Sequence, residues 1–192
     1  MQRSWFKIDS PRQKIGLVLI SLGLFFLIVA LSLLGYQEYQ RQLLSFSSPP
    51  KLTEAVDVSL LPQRVLVPQA EIDLPVFSTK VVENRWEVSQ EGASYLLGSG
   101  IPGEAGNVVL YGHNTNRLFG PIRWLEKEAE IKIFNQKGDE FVYKIVETKT
   151  VSSDSVEVLS PTEEAILTLY TCTGFLDSQR YVVRARLQPE AQ

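Results

Sequence analysis

An uncharged apolar run near the amino terminus constrains this chain more than any other feature. From Ile15 to Tyr36 the sequence reads IGLVLISLGLFFLIVALSLLGY. As a helix, this run spans about 33 Å, which matches a bilayer hydrocarbon core of about 30 Å. A buried core helix would show a polar stripe, and a cleaved signal peptide would have a shorter apolar region of about 7 to 15 residues. We therefore predict an uncleaved transmembrane anchor at residues 15–36.

Charged residues around the anchor predict its orientation. The positive-inside rule places the more basic flank of a membrane helix in the cytoplasm. We therefore expect residues 1–14 to be cytoplasmic and the chain after about Gln37 to lie outside the cell. Four basic residues precede the anchor against one acidic residue, and one basic residue follows it at some distance: Arg3, Lys7, Arg12 and Lys14, then Asp9, then Arg41.

Composition limits the function classes. The 192 residues are 44% hydrophobic, which is enough for one folded domain beyond the anchor. Basic and acidic residues are interspersed, the net charge is -3 and there is no basic stripe, so we expect no nucleic-acid partner. The single Cys excludes an intrachain disulfide and zinc sites built on paired cysteines. The single His leaves only one pair for any Cys/His chemistry within the chain.

The rest of the chain divides into a linker and a β-rich domain. Residues 37–61 contain Ser-Ser-Pro-Pro and no sustained periodicity, which predicts a stalk, while residues 62–192 are predicted to form the folded domain. A polar stretch at 135–139 predicts a hairpin turn, and Ser160 followed by Pro161 predicts a short helix over 160–165. The β-branched runs predict a closed or nearly closed antiparallel barrel. These runs cover 64–68, 71–77, 107–112, 130–135, 140–151, 165–172 and 180–187.

Three side chains at the ends of these strands would meet at one rim of the barrel if their strands are neighbours. His113 directly follows one apolar run, Cys172 ends another, and Arg180 opens the last strand eight residues later. A thiol has a reference pKa of about 8.5, so a nearby imidazole and a fixed positive charge are the usual means of favouring the thiolate. A guanidinium also suits the oxyanion that forms when a thiolate attacks an amide carbonyl. The trio therefore fits acyl transfer by a cysteine nucleophile.

Each of these residues also has a structural interpretation. A lone Cys on an apolar strand often packs as a small hydrophobic residue. A His after a strand is often a hydrogen-bonded loop residue, and an Arg opening a strand is often a surface charge. The residues alone leave the catalytic and the structural interpretations open.

The sequence around these three residues resembles that of the sortase family. Residues 168–172, Thr-Leu-Tyr-Thr-Cys, match the family signature TLxTC, and residues 101–113 resemble the block PGxxGNxVxxGH. Further similarity lies at residues 70–76, at Trp86 and at residues 92–93. The resemblance covers about residues 64–187.

The resemblance implies a mainly β fold, namely a closed eight-stranded β-barrel with short connecting helices after the transmembrane helix. It implies a cysteine transpeptidase in which Cys172, His113 and Arg180 are catalytic, while Thr168 and Thr171 line the substrate site. The substrates would be secreted proteins with a C-terminal Leu-Pro-x-Thr-Gly-like sorting signal. A thioester acyl-enzyme would pass them to an amine from a peptidoglycan precursor or a pilin lysine. No cofactor and no metal are expected.

The chain also departs from the family pattern. Residues 173–175, Thr-Gly-Phe, stand where many relatives have Pro, which leaves the preferred signal open. The acidic residues of 127–130 are expected to form a solvated turn rather than a calcium site. A cell-wall L,D-transpeptidase would need a Ser-His-Gly-Cys context, which is absent because the only His lies 59 positions before Cys172. An extracytoplasmic cysteine peptidase and a non-catalytic anchored β-barrel scaffold remain the alternatives.

Overall fold

A computed structural model of the chain describes residues 11–42, 44–45, 57–82 and 85–189. It divides into two compact units, Met1–Tyr39 and Gln40–Gln192. Most of the predicted cytoplasmic segment, with Arg3 and Lys7, lies outside the described residues. The same holds for residues 46–56 of the predicted stalk.

The described residues of the amino-terminal unit belong to one long helix. Helix α1 spans Pro11–Gln42, and over residues 11–37 it is long and apolar enough to cross a membrane. The side chains of this stretch are almost all exposed, which is opposite to what a core helix of a globular domain would show. The apolar helix predicted over 15–36 is therefore confirmed, and its use as a membrane anchor stays a prediction.

The second unit is built on a closed eight-stranded barrel, as predicted. The hydrogen-bonded order is β10-β11-β9-β8-β2-β3-β6-β7, and β7 pairs with β10 to close the barrel. Two-residue strands form a separate small sheet in the order β1-β5-β4. The strands are β1 Leu44–Ser45, β2 Pro62–Val67, β3 Ile72–Thr79, β4 Val81–Val82, β5 Arg85–Trp86, β6 Ala93–Leu96, β7 Gly106–Tyr111, β8 Glu130–Asn135, β9 Glu140–Ser152, β10 Ala165–Thr173 and β11 Gln179–Leu187.

The expectation of an antiparallel barrel is wrong for two of its pairings. Strands β3 and β6 run parallel, and so do β7 and β10. Parallel neighbours need a long connection. The segment between β3 and β6 contains β4 and β5, and the segment between β7 and β10 contains the whole β8–β9 hairpin. The second parallel pairing sets the active-site geometry described below.

The predicted hairpin turn joins β8 to β9. The Asn135 side-chain oxygen accepts hydrogen bonds from the backbone N–H groups of Lys137 and Asp139. Gly138 has φ 90°, a left-handed conformation that glycine adopts without steric cost. The local turn signals in the sequence therefore correspond to an observed turn.

The helix predicted over 160–165 is wrong. Ser160 is the residue after a 3-10 helix at Val156–Leu159, and Ala165 already begins β10. Pairing of β10 with both β7 and β11 overrides the local helix-start signals. The other connectors are also 3-10 helices, at Val58–Leu60, Pro68–Ala70, Gly120–Trp124 and Phe175–Asp177.

Two apolar clusters lie on opposite faces of the barrel wall. The interior core takes residues from all eight barrel strands, and Leu167 and Leu169 of β10 belong to it. The alternating residues Tyr170 and Cys172 belong to a second set, the outer cluster, because successive side chains of a strand point to opposite faces. Burial of each large apolar side chain contributes roughly 1.5–3 kcal/mol. The outer cluster comprises Trp86, Leu96, Val109, Tyr111, Val158, Leu159, Tyr170, Cys172 and Val182.

Candidate active site

Cys172 lies near the end of β10, on the outer face of the barrel wall. Its side chain is 1% exposed and packs in the outer cluster rather than in the interior core. The thiol is therefore separated from solvent by the segments that cover the outer cluster, not by the barrel itself.

Arg180 is placed beside the thiol by strand pairing. Cys172 and Arg180 are directly opposed partners in the antiparallel β10–β11 ladder. Directly opposed residues have Cβ atoms about 4.5–5.5 Å apart and side chains on the same face. Arg180 Nη1 donates to the backbone oxygens of Asp177 at 2.7 Å and Gln179 at 2.9 Å. These two bonds hold the buried guanidinium at the carboxyl end of β10.

His113 reaches the same place along the neighbouring parallel strand. Tyr111 at the end of β7 is the register partner of Tyr170, and Gly112 N–H continues the ladder by donating to the Tyr170 oxygen. His113 lies two residues after Tyr111, and Cys172 lies two residues after Tyr170. Because the strands run parallel, these two residues lie abreast at the same end of the sheet. The predicted convergence of Cys172, His113 and Arg180 is what the strand register produces.

Tyr111 stands between the thiol and the imidazole. Its hydroxyl oxygen is 3.3 Å from Cys172 Sγ and 3.4 Å from His113 Nδ1. Burial raises the pKa of Tyr111 well above its usual range, and the neighbouring thiol adds to this effect. The hydroxyl is therefore neutral across the physiological pH range. Sequence reasoning gave Tyr111 no role, although it lies two residues before His113.

Two further residues of the site were also missed. Burial raises the pKa of Tyr170 to about 12, against the opposing effect of the nearby Arg180 guanidinium. Asp177 is buried in the β10–β11 loop in a left-handed conformation, with φ 60°. Its backbone oxygen accepts from Arg180. A loop aspartate carries no periodicity signal, whereas Tyr170 could have been found from its alternation with Cys172.

The two threonines predicted to line the site make internal hydrogen bonds. Thr171 Oγ1 donates to the backbone oxygen of Gly112, directly before His113, at 2.7 Å. Thr168 Oγ1 donates to Asn107 Oδ1 at 2.7 Å, and four residues along the strand place it about 13 Å from Cys172. Both threonines are buried. Thr171 therefore adjoins the convergent trio, Thr168 does not, and substrate contact by either stays a prediction.

The site is closed in this conformation. Cys172, His113 and Arg180 are each no more than 6% exposed. Among the described residues, no group of three or more His, Cys, Asp or Glu side chains is arranged to hold a metal ion. The groups that meet at this site are a thiol, an imidazole, a phenol hydroxyl and a guanidinium.

Comparison with known proteins finds sortases in three ways: by a family model, by curated relatives and by solved structures. The Sortase domain family model matches residues 65–188. Sortase A of Listeria monocytogenes is 30% identical over 134 residues, which are 68% of this chain and 58% of that relative. The chain thus spans a little over half of the relative's length.

Solved structures agree with this match. The structure of Listeria monocytogenes sortase A has a TM-score of 0.57 at 26% identity, covering 69% of this chain and 89% of that chain. Sortase D5 of Clostridium perfringens, described as a transpeptidase, has a TM-score of 0.58 at 26% identity. That match covers 66% of this chain and 78% of the Clostridium chain.

Proposed function

Since this chain belongs to the sortase family, we propose that it cleaves a Leu-Pro-x-Thr-Gly-like sorting signal and transfers the protein bearing it to an amine. The observation that carries this proposal is the strand register. It sets Arg180 opposite Cys172 and brings His113 abreast of the same thiol. The amine would come from a peptidoglycan precursor or a pilin lysine.

The first half of the proposed reaction forms an acyl-enzyme. The His113 imidazole takes the Cys172 proton, and the thiolate attacks the carbonyl carbon of the signal's threonine. Arg180 stabilises the oxyanion, since its guanidinium is permanently charged and lies on the face of the sheet that carries the thiol. The imidazolium then protonates the departing amine as the C–N bond breaks, which leaves a thioester on Cys172.

The second half resolves the thioester. The neutral imidazole removes a proton from the incoming amine, whose nitrogen attacks the thioester carbonyl. Collapse of the second oxyanion expels the Cys172 thiolate and forms a new amide bond. One amide is broken and one is formed, so no external oxidant or reductant is needed.

We place the catalytic domain outside the cell, tethered through residues 15–36. Support comes from the exposed apolar helix α1 and from the basic residues before the apolar run. Sorting signals on secreted proteins would then be met at the membrane surface. The residues after the helix would act as a stalk.

The proposal is tested by product analysis. The full-length chain in detergent micelles is incubated with a Leu-Pro-x-Thr-Gly-type peptide and a small amine, and products are identified by mass spectrometry. We expect a new peptide–amine amide, and its loss in Cys172→Ala. Because alanine is smaller than cysteine and apolar, the variant should keep the fold, which circular dichroism checks. Release of a free carboxylate at the same rate with and without amine would indicate a peptidase instead.

A further inference from the structure

The Tyr111 hydroxyl lies between the two groups that exchange a proton in the proposed reaction. Its distances of 3.3 Å to Cys172 Sγ and 3.4 Å to His113 Nδ1 are within the range seen for catalytic hydrogen bonds in substrate-free sites. We propose that the Tyr111 hydroxyl bridges the thiol and the imidazole and passes the proton between them. This inference deepens the proposed function by adding a catalytic residue to the same site. The motif block that resembles the sortase family leaves the position of Tyr111 variable.

The proton transfer leaves Tyr111 chemically unchanged. The S–H bond of Cys172 breaks as its proton moves to the hydroxyl oxygen. At the same time the original O–H bond breaks, and that proton forms an N–H bond at His113 Nδ1. The products are a thiolate, an imidazolium and a neutral tyrosine. Before and after transfer, the hydroxyl donates one hydrogen bond and accepts another. The bonds to the thiolate and the imidazolium are charge-assisted and therefore stronger, so the bridge favours the charged pair.

The ring that carries this hydroxyl is held on every side by strands and aromatic neighbours. Tyr111 pairs with Tyr170 of β10 and with Ser94 of β6, so its backbone is fixed by two strands. Ring centroids lie 5.7 Å from Trp86, 6.0 Å from Tyr170 and, edge to face, 5.4 Å from His113. Trp86 is itself fixed by a 2.7 Å hydrogen bond to a threonine hydroxyl. The hydroxyl is therefore held in place before substrate arrives.

Burial keeps the hydroxyl protonated, as a neutral bridge requires. It raises the pKa of Tyr111 well above the usual range, and the guanidinium opposes this effect without cancelling it. A tyrosinate is therefore disfavoured. The titratable and charged groups around Tyr111 and its neighbour on β10 come from β10, β11, the segment after β7, and the loops on either side of the site: Cys172, Tyr170, Arg180, His113, Asp177 and Glu157.

Thiol alkylation in Tyr111→Phe tests the bridge directly. The variant removes one oxygen and keeps the ring that packs in the outer cluster. Rates of Cys172 alkylation by iodoacetamide are measured against pH in full-length protein, where the only thiol is Cys172. Loss of a hydrogen bond to the thiolate should raise the pKa of the thiol by about one unit. The alkylation rate at neutral pH should therefore fall about tenfold, with the alkaline plateau unchanged.

Tyr143→Phe is the matched control. Tyr143 is also a buried tyrosine, but its hydroxyl accepts from Gly103 N–H on the interior side of the barrel, away from the thiol. Its alkylation profile should match that of the wild type. A Tyr111→Phe profile that also matches the wild type would overturn the proposal.

Titration of the single imidazole gives a second measurement. In Tyr111→Phe the pKa of His113 should fall, because the imidazolium loses its hydrogen-bonded link to the Cys172 thiolate. NMR measures this pKa without assignment ambiguity, since the chain has one histidine. In the wild type, the ring carbon bearing the hydroxyl of isotope-labelled Tyr111 should change its shift at the pH where Cys172 and His113 titrate. This wild-type measurement stands even if the variant folds poorly. A Tyr111 signal that is insensitive to both titrations would contradict the bridge.

These experiments distinguish a failure of the Tyr111 bridge from a failure of the proposed function. Alkylation and NMR need neither a sorting signal nor an amine. If transpeptidation is absent in the wild type while the alkylation shift is found, the proposed function fails and the bridge stands. If transpeptidation is present, Tyr111→Phe should lower kcat about tenfold and leave KM within about twofold, because the hydroxyl acts on the nucleophile rather than on substrate binding.

Discussion

At the residue scale, one strand pair brings the chemistry together. Cys172 and Arg180 are eight residues apart in sequence, and the tight connection between β10 and β11 makes them direct partners. The sequence indicated this meeting on the condition that the two strands are neighbours, and the β10–β11 ladder meets that condition. Tyr111 and Asp177 could not be predicted in the same way. Their contribution depends on where closure of the barrel places a side chain, and neither carries a periodic or motif signal of its own.

Arg180→Lys tests the need for a planar, multi-donor cation. Lysine keeps the positive charge but has a single nitrogen. It cannot hold the two backbone oxygens bonded by Nη1 and also offer the other guanidinium N–H groups to an oxyanion. We expect kcat/KM to fall about 100-fold, within the range for loss of one oxyanion donor. Steady-state kinetics of peptide transfer measure this effect.

The control for this substitution lies on the same strand. Arg186→Lys changes an exposed arginine whose guanidinium pairs with Glu164 at 2.8 Å, outside the site. Its kinetics should equal those of the wild type. Equal activity in Arg180→Lys and Arg186→Lys would show that charge alone is sufficient at position 180.

At the element scale, the parallel pairing of β7 with β10 is what aligns the imidazole with the thiol. Strand positions in the sequence predicted β8 without error and the other long strands to within a few residues. The parallel pairing was not predicted, since a period of two reports burial and not the direction of a partner. Strand β6 was also missed, because its four residues, Ala-Ser-Tyr-Leu, include no β-branched side chain. Non-local contacts decide both features.

Gly112→Ala tests how closely the segment after β7 is packed. A Cβ at this position would come within 2.5–2.9 Å of the Phe119 ring, which is fully buried. Overpacking of this kind costs roughly 1–3 kcal/mol in the free energy of unfolding. Because His113 is the next residue, peptide transfer should fall as well. Chemical denaturation and steady-state kinetics measure the two effects.

Gly35→Ala provides the comparison. A methyl group at that helical glycine meets nothing within 4 Å, so unfolding of the barrel should be unaffected. If Gly112→Ala retained both the stability and the activity of the wild type, the close packing of this segment around His113 would be refuted.

At the scale of the whole molecule, burial of tyrosines inside the β domain makes its stability depend on alkaline pH. Burial raises the pKa of Tyr143 to about 12 and that of Tyr170 to about 12, whereas both start from 10.0. Below pH 10 the folded and unfolded states both keep these protons. Between about pH 10 and 12 only the unfolded chain ionises, so the free energy of unfolding falls as pH rises. Each tyrosine contributes a loss of roughly 2–3 kcal/mol by pH 12.

Denaturation of the wild type and Tyr143→Phe across this range checks the effect. The phenylalanine variant should lose less stability between pH 10 and 12, while lysine titration affects both proteins alike. Parallel curves for the two proteins would show that the buried hydroxyl does not ionise on unfolding.

The two units differ in where their apolar side chains lie. One helix exposes apolar side chains along its length, whereas the barrel buries its apolar residues in two clusters. The sequence predicted this division because a long uncharged apolar run is typical of a membrane helix, whereas short β-branched runs with a period of two are typical of strands. It could not predict that the site is closed, since that depends on loops whose path no pattern encodes.

The most direct test of the account is to find where the substrate becomes attached. Full-length protein is mixed with a Leu-Pro-x-Thr-Gly-type peptide without amine, quenched in acid and analysed by intact and peptide-level mass spectrometry. We predict a thioester between the peptide's threonine and Cys172. It should disappear when amine is added, and the peptide–amine amide should form. An adduct on another residue, or amide formation that persists in Cys172→Ala, would contradict it.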